Sequence, residues 1–415
     1  MSKNLKYSKL REVLNIENMN GEAEDVAYFT HFLQEKSRFY KKRAQKYYEQ
    51  LNLNNNINGF NVQSLLPIIW DIPFPSPKKP KFKFIDLFAG IGGFRIGAQN
   101  NQGKCVFSSE WDKFAIKTYE KNFGEVPFGD ITKIDAQLIP NHDILFAGFP
   151  CQPFSYSGKN EGFKDKTRGT LFFDILRIIE EKKPKMFLLE NVKGLKSHNN
   201  GKTLKTILEA LENLGYFLNW SILKSIDYEL PQKRERWYCI GSLNEIKFDF
   251  PEKSDKRTIL RDIIENENNS EKLKLTNFEV ERINFHFENV TSEIERVEHD
   301  SSKYMPNTKK GRHGVYSFQK KDGSIRFHVG DHAKTQIQEA FYCTLDSYSP
   351  TIIANRVPKL WDIQRKLSVL EAQRLQGFPD NYKFPVSDNQ AYKQLGNSVS
   401  VPVVELIIKE MTKHL

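Results

Sequence analysis

The 415 residues contain only four cysteines, at positions 105, 151, 239 and 343, and no two of them are spaced as a CxxC pair. Neither a disulfide framework nor a zinc site is therefore suggested, no metal is expected, and the usage suits a reducing cytoplasm. The N-terminus lacks an apolar signal core. No run approaches the roughly 18 apolar residues of a membrane-crossing helix, so neither export nor a membrane partner is expected. Apolar residues make up 39% of the chain, enough for a real core, and the length points to one large unit with one or two smaller ones. Lys and Arg number 62 against 52 Asp and Glu, a net charge of +10. That balance fits a polyanionic partner and equally a soluble basic protein.

Residues 1–80 read as a helical N-terminal extension and linker. Their helical pattern covers roughly 22–51, and Lys36, Arg38, Lys41, Lys42, Arg43 and Lys46 crowd its later half. Such a helix is either a solvated face or a contact with a nucleic-acid backbone, and the N-terminal arm as a whole could simply pack on the core. Pro73-Phe74-Pro75-Ser76-Pro77-Lys78-Lys79-Pro80 cannot continue a helix and reads as an extended tether, which places a boundary there. From 81 to 250, short apolar strands alternate with amphipathic helices, with strands beginning near Phe84, Cys105, Ile144, Met186 and Trp237. That alternation predicts an α/β fold with a doubly wound, mostly parallel sheet. Residues 251–355 break the rhythm. They are polar and carry a hairpin signal in Val315–Lys321, Asp322-Gly323 and Ser324–Val329, as a smaller inserted domain would. The segment 356–415 returns to the first domain and ends on the apolar periodicity of Val403, Leu406, Ile407 and Met411.

The first strand of the alternating region runs into Asp86-Leu87-Phe88-Ala89-Gly90-Ile91-Gly92-Gly93-Phe94, where glycines let backbone approach a ligand at a helix start. It is not a dinucleotide fingerprint, because Arg95 occupies the place of the third glycine of G-x-G-x-x-G. The next strand ends at Glu110, about 20 residues past the first glycine, where an acid can accept hydrogen bonds from ribose hydroxyls. Gly129-Asp130-Ile131 closes a further segment and could bind an adenine amino group. A cofactor with an adenosine half and no pyrophosphate suits the set, and S-adenosylmethionine is the obvious one.

The apolar run Asp143-Ile144-Leu145-Phe146-Ala147-Gly148 leads into Phe149-Pro150-Cys151-Gln152-Pro153-Phe154-Ser155. A buried strand ending in a rigid turn projects its next side chain into the crevice at the carboxyl edge of the sheet, where open α/β folds bind ligands. That side chain is a thiol; the bland alternative is a small core cysteine. Glu190 ends the strand Lys185–Leu189 and should emerge at the same edge, as a catalytic carboxyl or as a capping or salt-bridged one. Asn191 is expected to hold the loop rather than touch chemistry.

Taken in order, these segments resemble the DNA cytosine-5 methyltransferases of bacterial restriction-modification systems. Phe84–Gly90 resembles that family's cofactor loop, Gly148–Gln152 its nucleophile loop and Glu190-Asn191-Val192 its glutamate motif. Gln232-Lys233-Arg234-Glu235-Arg236 resembles its paired-arginine motif, and Gln390–Val399 its closing cofactor motif. The likeness covers about 82–250 and 365–402, with no departure at a catalytic position. It implies the S-adenosylmethionine-dependent methyltransferase fold, with 251–355 as a target-recognition region.

The resemblance implies catalytic roles for Cys151, Glu190, Arg236 and Arg234, and cofactor contacts from Phe88, Gly90, Gly92, Glu110, Trp111, Asp130, Ile131, Pro150, Asn397 and Ser398. A thiolate at Cys151 would add to cytosine C6, and Arg236 is the candidate cation that lowers its pKa. Glu190 would hydrogen-bond the exocyclic amine and N3. Because the target atom lies inside the base stack, the nucleotide must be flipped out, and 154–169 reads as a mobile cover. DNA contacts are expected from Ser155, Ser157, Lys159, Arg234, Arg312 and Arg326. Between Met305 and Lys334, seven cationic residues face two acidic ones, as a groove-entering hairpin would require. The implied partner is double-stranded DNA, with a cognate restriction endonuclease as an open possibility and a monomer as the expected state. Two alternatives stay open: a tRNA cytosine-5 methyltransferase, and a DNA-binding regulator that uses residues 1–80.

Overall fold

The computed structural model describes residues 5–13, 23–55, 68–150, 171–265, 268, 270–289, 297–299, 313–319, 325–331, 338–339, 342–353 and 357–415. Three helices come first, α1 (Tyr7–Val13), α2 (Ala23–Glu35) and α3 (Arg38–Asn55). The alternating region then runs β1 (Phe82–Leu87), α4 (Gly93–Asn100), β2 (Gly103–Ser109), α5 (Lys113–Phe123), β3 (Ile144–Gly148), α6 (Leu171–Lys182), β4 (Met186–Val192), α7 (Lys202–Asn213) and β5 (Phe217–Lys224). It closes with β6 (Gln232–Lys233) and β7 (Glu235–Ser242). Later come α8 (Asn277–Asn289), β8 (Val297–His299), β9 (His313–Gln319), β10 (Ile325–Asp331), α9 (Val369–Leu375), α10 (Asp388–Asn397) and α11 (Val401–Met411).

The chain divides into two compact units. The first is Met1–Lys224, Glu235–Lys253 and Gln376–Leu415; the second is Ser225–Arg234 and Ser254–Leu375. The first unit holds a six-stranded sheet in the order β2-β1-β3-β4-β7-β5. The strands β1 to β4 are mutually parallel, while β7 runs antiparallel to both β4 and β5. A mostly parallel sheet needs both faces covered, and successive side chains alternate between faces. Thus Ile85, Leu145 and Leu189 share a buried cluster with Ile175 and Ile179 of α6. Phe84 and Phe146 instead meet on the face where Phe94 of α4 stacks on Phe146, ring centroids 5.5 Å apart. Among the glycines, Gly92 at φ 79 caps the start of α4, and a Cβ there would meet the Phe123 ring at 2.3 Å.

The N-terminal helices belong to the first unit and share one apolar cluster with its sheet, through Phe29, Phe32, Tyr40 and Ala44 against Val106, Phe107 and Phe128. Tyr28 meets Phe128 edge-on at 4.9 Å. Tyr7 stacks on Trp70 at 5.1 Å and donates its hydroxyl to Glu120 at 2.9 Å, where Arg11 also pairs at 2.7 Å. The Pro-rich stretch after Trp70 has the irregular backbone its sequence dictates, yet the helices before it are packed down because they carry aromatic residues on their buried faces.

In the second unit, β6 pairs in parallel with Ser349–Pro350, and β8, β9, β10 and Gln338–Glu339 form an antiparallel sheet. The expected hairpin is present as β9 and β10. Its register sets Gln319 opposite Ile325 and leaves five residues, 320–324, between the strands. That is one residue off the register of a two-residue Asp322-Gly323 turn, and the connecting residues lie outside those described.

Candidate active site

The carboxyl ends of β1 to β4 define one edge of the sheet, and the antiparallel β7 brings its first residues to the same edge. After β1 the backbone turns sharply. Phe88 sits at φ 56, a conformation a bulky side chain rarely adopts, and the Ala89 N–H donates to the Ser109 carbonyl at 2.9 Å. The next turn is closed by Gly92 N–H to the Ala89 carbonyl at 2.8 Å. Tyr382 buttresses it from the C-terminal segment, its hydroxyl donating to the Ile91 carbonyl.

Glu110, one residue beyond β2, organises the neighbouring backbone. Its Oε2 accepts the Gly90 N–H at 2.7 Å, and its Oε1 accepts those of Trp111 and Asp112 at 2.9 and 2.8 Å. Burial raises the Glu110 carboxyl above its ordinary pKa, against the lowering effect of these three donors. Trp111, immediately after it, is 80% exposed, an unusual setting for a large aromatic side chain. Asp112 caps α5 by accepting from Phe114 and Ala115, and Lys393 of α10 pairs with it at 3.1 Å. Asp130 caps the turn Ile131–Lys133 through the Thr132 N–H at 3.0 Å, with Ile131 buried beneath. The C-terminal motif lies against the glycine loop. A Cβ on Gly93 would stand 2.7 Å from Val399 Cγ2 and 2.9 Å from Ser398 Oγ, and Asn397 beside it is exposed.

At the centre of the edge, Gly148 of β3 is in register with Glu190 of β4. Arg236 Nε of β7 lies 3.0 Å from Glu190 Oε1, and both side chains are mostly buried. Asn191 holds the chain leaving β3, its Nδ2 donating to the Phe149 carbonyl at 2.9 Å, while its Oδ1 accepts the Val192 N–H at 2.7 Å. Pro150 is exposed at the end of that segment. Arg234 belongs to the second unit, is 2% exposed, and donates through Nη1 to the Ile352 carbonyl at 3.3 Å. The unit boundary therefore falls between the two arginines of the motif. Cys105 and Cys239 are buried in β2 and β7, and burial pushes both thiols up. Cys151, Ser155, Ser157, Lys159 and Arg312 lie outside the described residues, and Arg326 is placed on β10 opposite Phe318.

Sequence reasoning passed over a buried polar cluster behind this edge. Arg95 Nη1 pairs with Glu125 Oε1 at 2.7 Å and donates to the Tyr119 hydroxyl at 3.0 Å, while His31 of α2 brings Nε2 within 3.2 Å of the same carboxyl oxygen. All four residues are fully buried. The available signal was a charged residue inside the otherwise apolar first turns of α4, and a Thr-His pair on the apolar face of α2. A buried ion pair such as Arg95–Glu125 is retained where other contacts satisfy it, here the Tyr119 and Ser108 hydroxyls.

A family model described as C-5 cytosine-specific DNA methylase matches residues 82–413. The chain is 44% identical over 345 residues to the Type II methyltransferase M.HpaII of Haemophilus parainfluenzae, covering 81% of this chain and 91% of that protein. It is 38% identical over 400 residues to the Type II methyltransferase M.MspI of a Moraxella species, covering 94% of this chain and 86% of that protein. Among solved structures, the S. pombe Dnmt2 methyltransferase aligns with a TM-score of 0.57 at 18% identity, covering 80% of this chain and 99% of that one, a likeness of fold.

Proposed function

The chain belongs to the C-5 cytosine-specific DNA methylase family, and from that premise we propose that it transfers a methyl group from S-adenosylmethionine to cytosine C5 within a short duplex DNA site. In this reading the target nucleotide is flipped out, Cys151 forms a covalent adduct at C6, and the enzyme is the modification partner of a restriction-modification system. The observation that carries it is the Glu190–Arg236 pair at the sheet edge, level with the strand end that leads within three residues to Cys151.

The donor set fits the cofactor. Glu110, its carboxylate held by three backbone donors, has the chemistry to accept from ribose hydroxyls, and the exposed Trp111 beside it offers an uncovered aromatic face for a purine. Phe88, Gly90, Gly92, Asp130, Ile131, Pro150, Asn397 and Ser398 complete the proposed binding set. When bound, the cofactor supplies an electrophilic methyl group on a sulfonium.

The protein's own residues do the rest. The Cys151 thiolate adds to C6 and makes C5 nucleophilic; once C5 carries the methyl group, loss of the C5 proton to base expels the thiolate from C6 and restores the ring, a step that fluorine at C5 would block. Glu190 binds the exocyclic amine and N3 and delivers a proton to N3 as C6 is attacked, so the ring gains no net negative charge; thymine, with no 4-amino donor, is rejected. Arg236 orients the Glu190 carboxyl and donates to the cytosine carbonyl oxygen. Reading of the DNA sequence falls to the second unit, with Arg312 and Arg326 as the proposed contacts there, and Ser155, Ser157 and Lys159 as contacts from the loop after the nucleophile; Arg234, 2% exposed, instead braces the Ile352 carbonyl.

The test is transfer of label from S-adenosylmethionine to mixed-sequence duplex DNA and to tRNA, with Cys151→Ser alongside. Label in DNA that the variant fails to incorporate supports the reading, and 5-fluorocytosine DNA should then yield a complex that survives denaturation. Label in tRNA alone, or a fully active variant, overturns it.

A further inference from the structure

Among the described residues no strand runs along the outer side of the edge strand β2, and outward backbone groups there are satisfied piecemeal. Near its end, Phe128 bridges it: the Phe128 N–H donates to the Ser108 carbonyl at 2.8 Å and the Glu110 N–H to the Phe128 carbonyl at 2.8 Å. Two further outward groups are met by side chains of the N-terminal helices. Tyr40 of α3 donates its hydroxyl to the Val106 carbonyl, and His31 of α2 accepts the Ser108 N–H through Nε2 at 3.3 Å. The His31 ring is oriented by Nδ1, which donates to the Ala27 carbonyl at 2.8 Å; burial lowers the imidazole's pKa against the raising effect of Glu125, whose Oε1 lies 3.2 Å from Nε2, and in the neutral ring with Nδ1 protonated Nε2 is the acceptor for the Ser108 N–H. Ser108 is held a second time by its hydroxyl, which donates at 3.0 Å to Glu125 Oε1, the oxygen that Arg95 also grips. Thr30, next to His31, accepts the Val126 N–H at 3.0 Å, so α2 clasps the strand and the segment beside it together.

Ser108 is two residues before Glu110, about 7 Å along an extended strand. Between them there is no joint. Ser109 is fixed by β1 and by the Ala89 N–H, so the position of Ser108 is transmitted to the carboxyl group that organises Gly90, Trp111 and Asp112. We propose that His31, from the segment that precedes the family-matched residues, is a positioning residue for the cofactor half of the site: it holds the outer edge of β2 at Ser108 so that Glu110 presents its carboxylate to the ribose. This rests on the reading of Glu110 as the ribose-binding acid.

The test measures S-adenosylmethionine binding by calorimetry on the full chain, together with thermal unfolding, for five proteins: wild type, His31→Asn, His31→Gln, Tyr40→Phe and Glu110→Gln. Asparagine places an amide near Nδ1 and leaves no acceptor at Nε2, whereas glutamine places an acceptor near Nε2. Losing the acceptor should weaken cofactor binding roughly fivefold, the weight of one hydrogen bond, while glutamine restores it to within about twofold. Tyr40→Phe, which frees a carbonyl four residues from Glu110, should lower the melting temperature and leave cofactor affinity within about twofold of wild type. The inference is overturned if the asparagine and glutamine variants bind alike, or if Tyr40→Phe weakens binding as much as His31→Asn. Wild-type affinity in Glu110→Gln would instead overturn the reading of Glu110 beneath it.

Discussion

Glu190 and Arg236 are diagonal neighbours on adjacent antiparallel strands: Glu190 lies opposite Tyr238, Arg236 lies two residues earlier on that strand opposite Val192, and their side chains meet at 3.0 Å. Diagonal partners on one face are within reach of a long side chain, so the pairing follows from the register. A one-residue slip of β7 would send Arg236 to the other face.

Glu190→Gln keeps the shape and loses the proton. Methyl transfer to duplex DNA should fall by about 10²- to 10⁴-fold in kcat, with KM for DNA little changed. Steady-state kinetics against DNA concentration check this, and a loss confined to KM would count against the proton-delivery role.

Trp111 is exposed, so Trp111→Ala should leave the melting temperature unchanged while weakening S-adenosylmethionine binding by about tenfold, the scale of losing one aromatic–base stack. Trp111→Phe should recover most of the affinity. Equal affinity in wild type and the alanine variant would remove Trp111 from the cofactor site.

Gly93→Ala places a methyl group against Val399 and Ser398, which must move for it to fit. A destabilisation of about 1–3 kcal/mol is expected from such overpacking, readable as a lower urea midpoint with the slope retained. Retention of the wild-type midpoint would show that the closing motif yields freely.

Burial lowers the pKa of His142 from its ordinary value near 6.5 to about 4. The unfolded chain therefore binds a proton in that window that the folded chain refuses, and the stability carried by neutral His142, complete above about pH 6.5, is lost progressively as the pH falls towards 4. His142→Asn, which can keep the contact at the Pro140 carbonyl, removes the titration. The stability difference between wild type and variant should narrow from pH 6.5 to 4 in urea titrations; a constant difference would refute the assignment.

The chain's family was legible in the sequence because the segments that carry the likeness are short local motifs: the glycine loop, the Pro-Cys turn, Glu190-Asn191 and the Arg234–Arg236 segment. Strand alternation likewise announced a mostly parallel sheet, since apolar runs on that rhythm have one way to be covered on both faces. Local pattern could not say that β7 returns antiparallel between β4 and β5, which is what carries Arg236 to Glu190. Nor could it separate the neighbouring arginines, one paired with Glu190 and the other buried against the Ile352 carbonyl. The N-terminal helices show the difference most plainly. Their composition left open a basic extension on a tether or an arm packed on the core; in the structure they pack, His31 meeting Ser108 across 77 residues of chain and Tyr40 meeting Val106 across 66. Such contacts are fixed by which backbone groups a sheet edge leaves unpaired, and only the packed structure decides which distant side chains satisfy them.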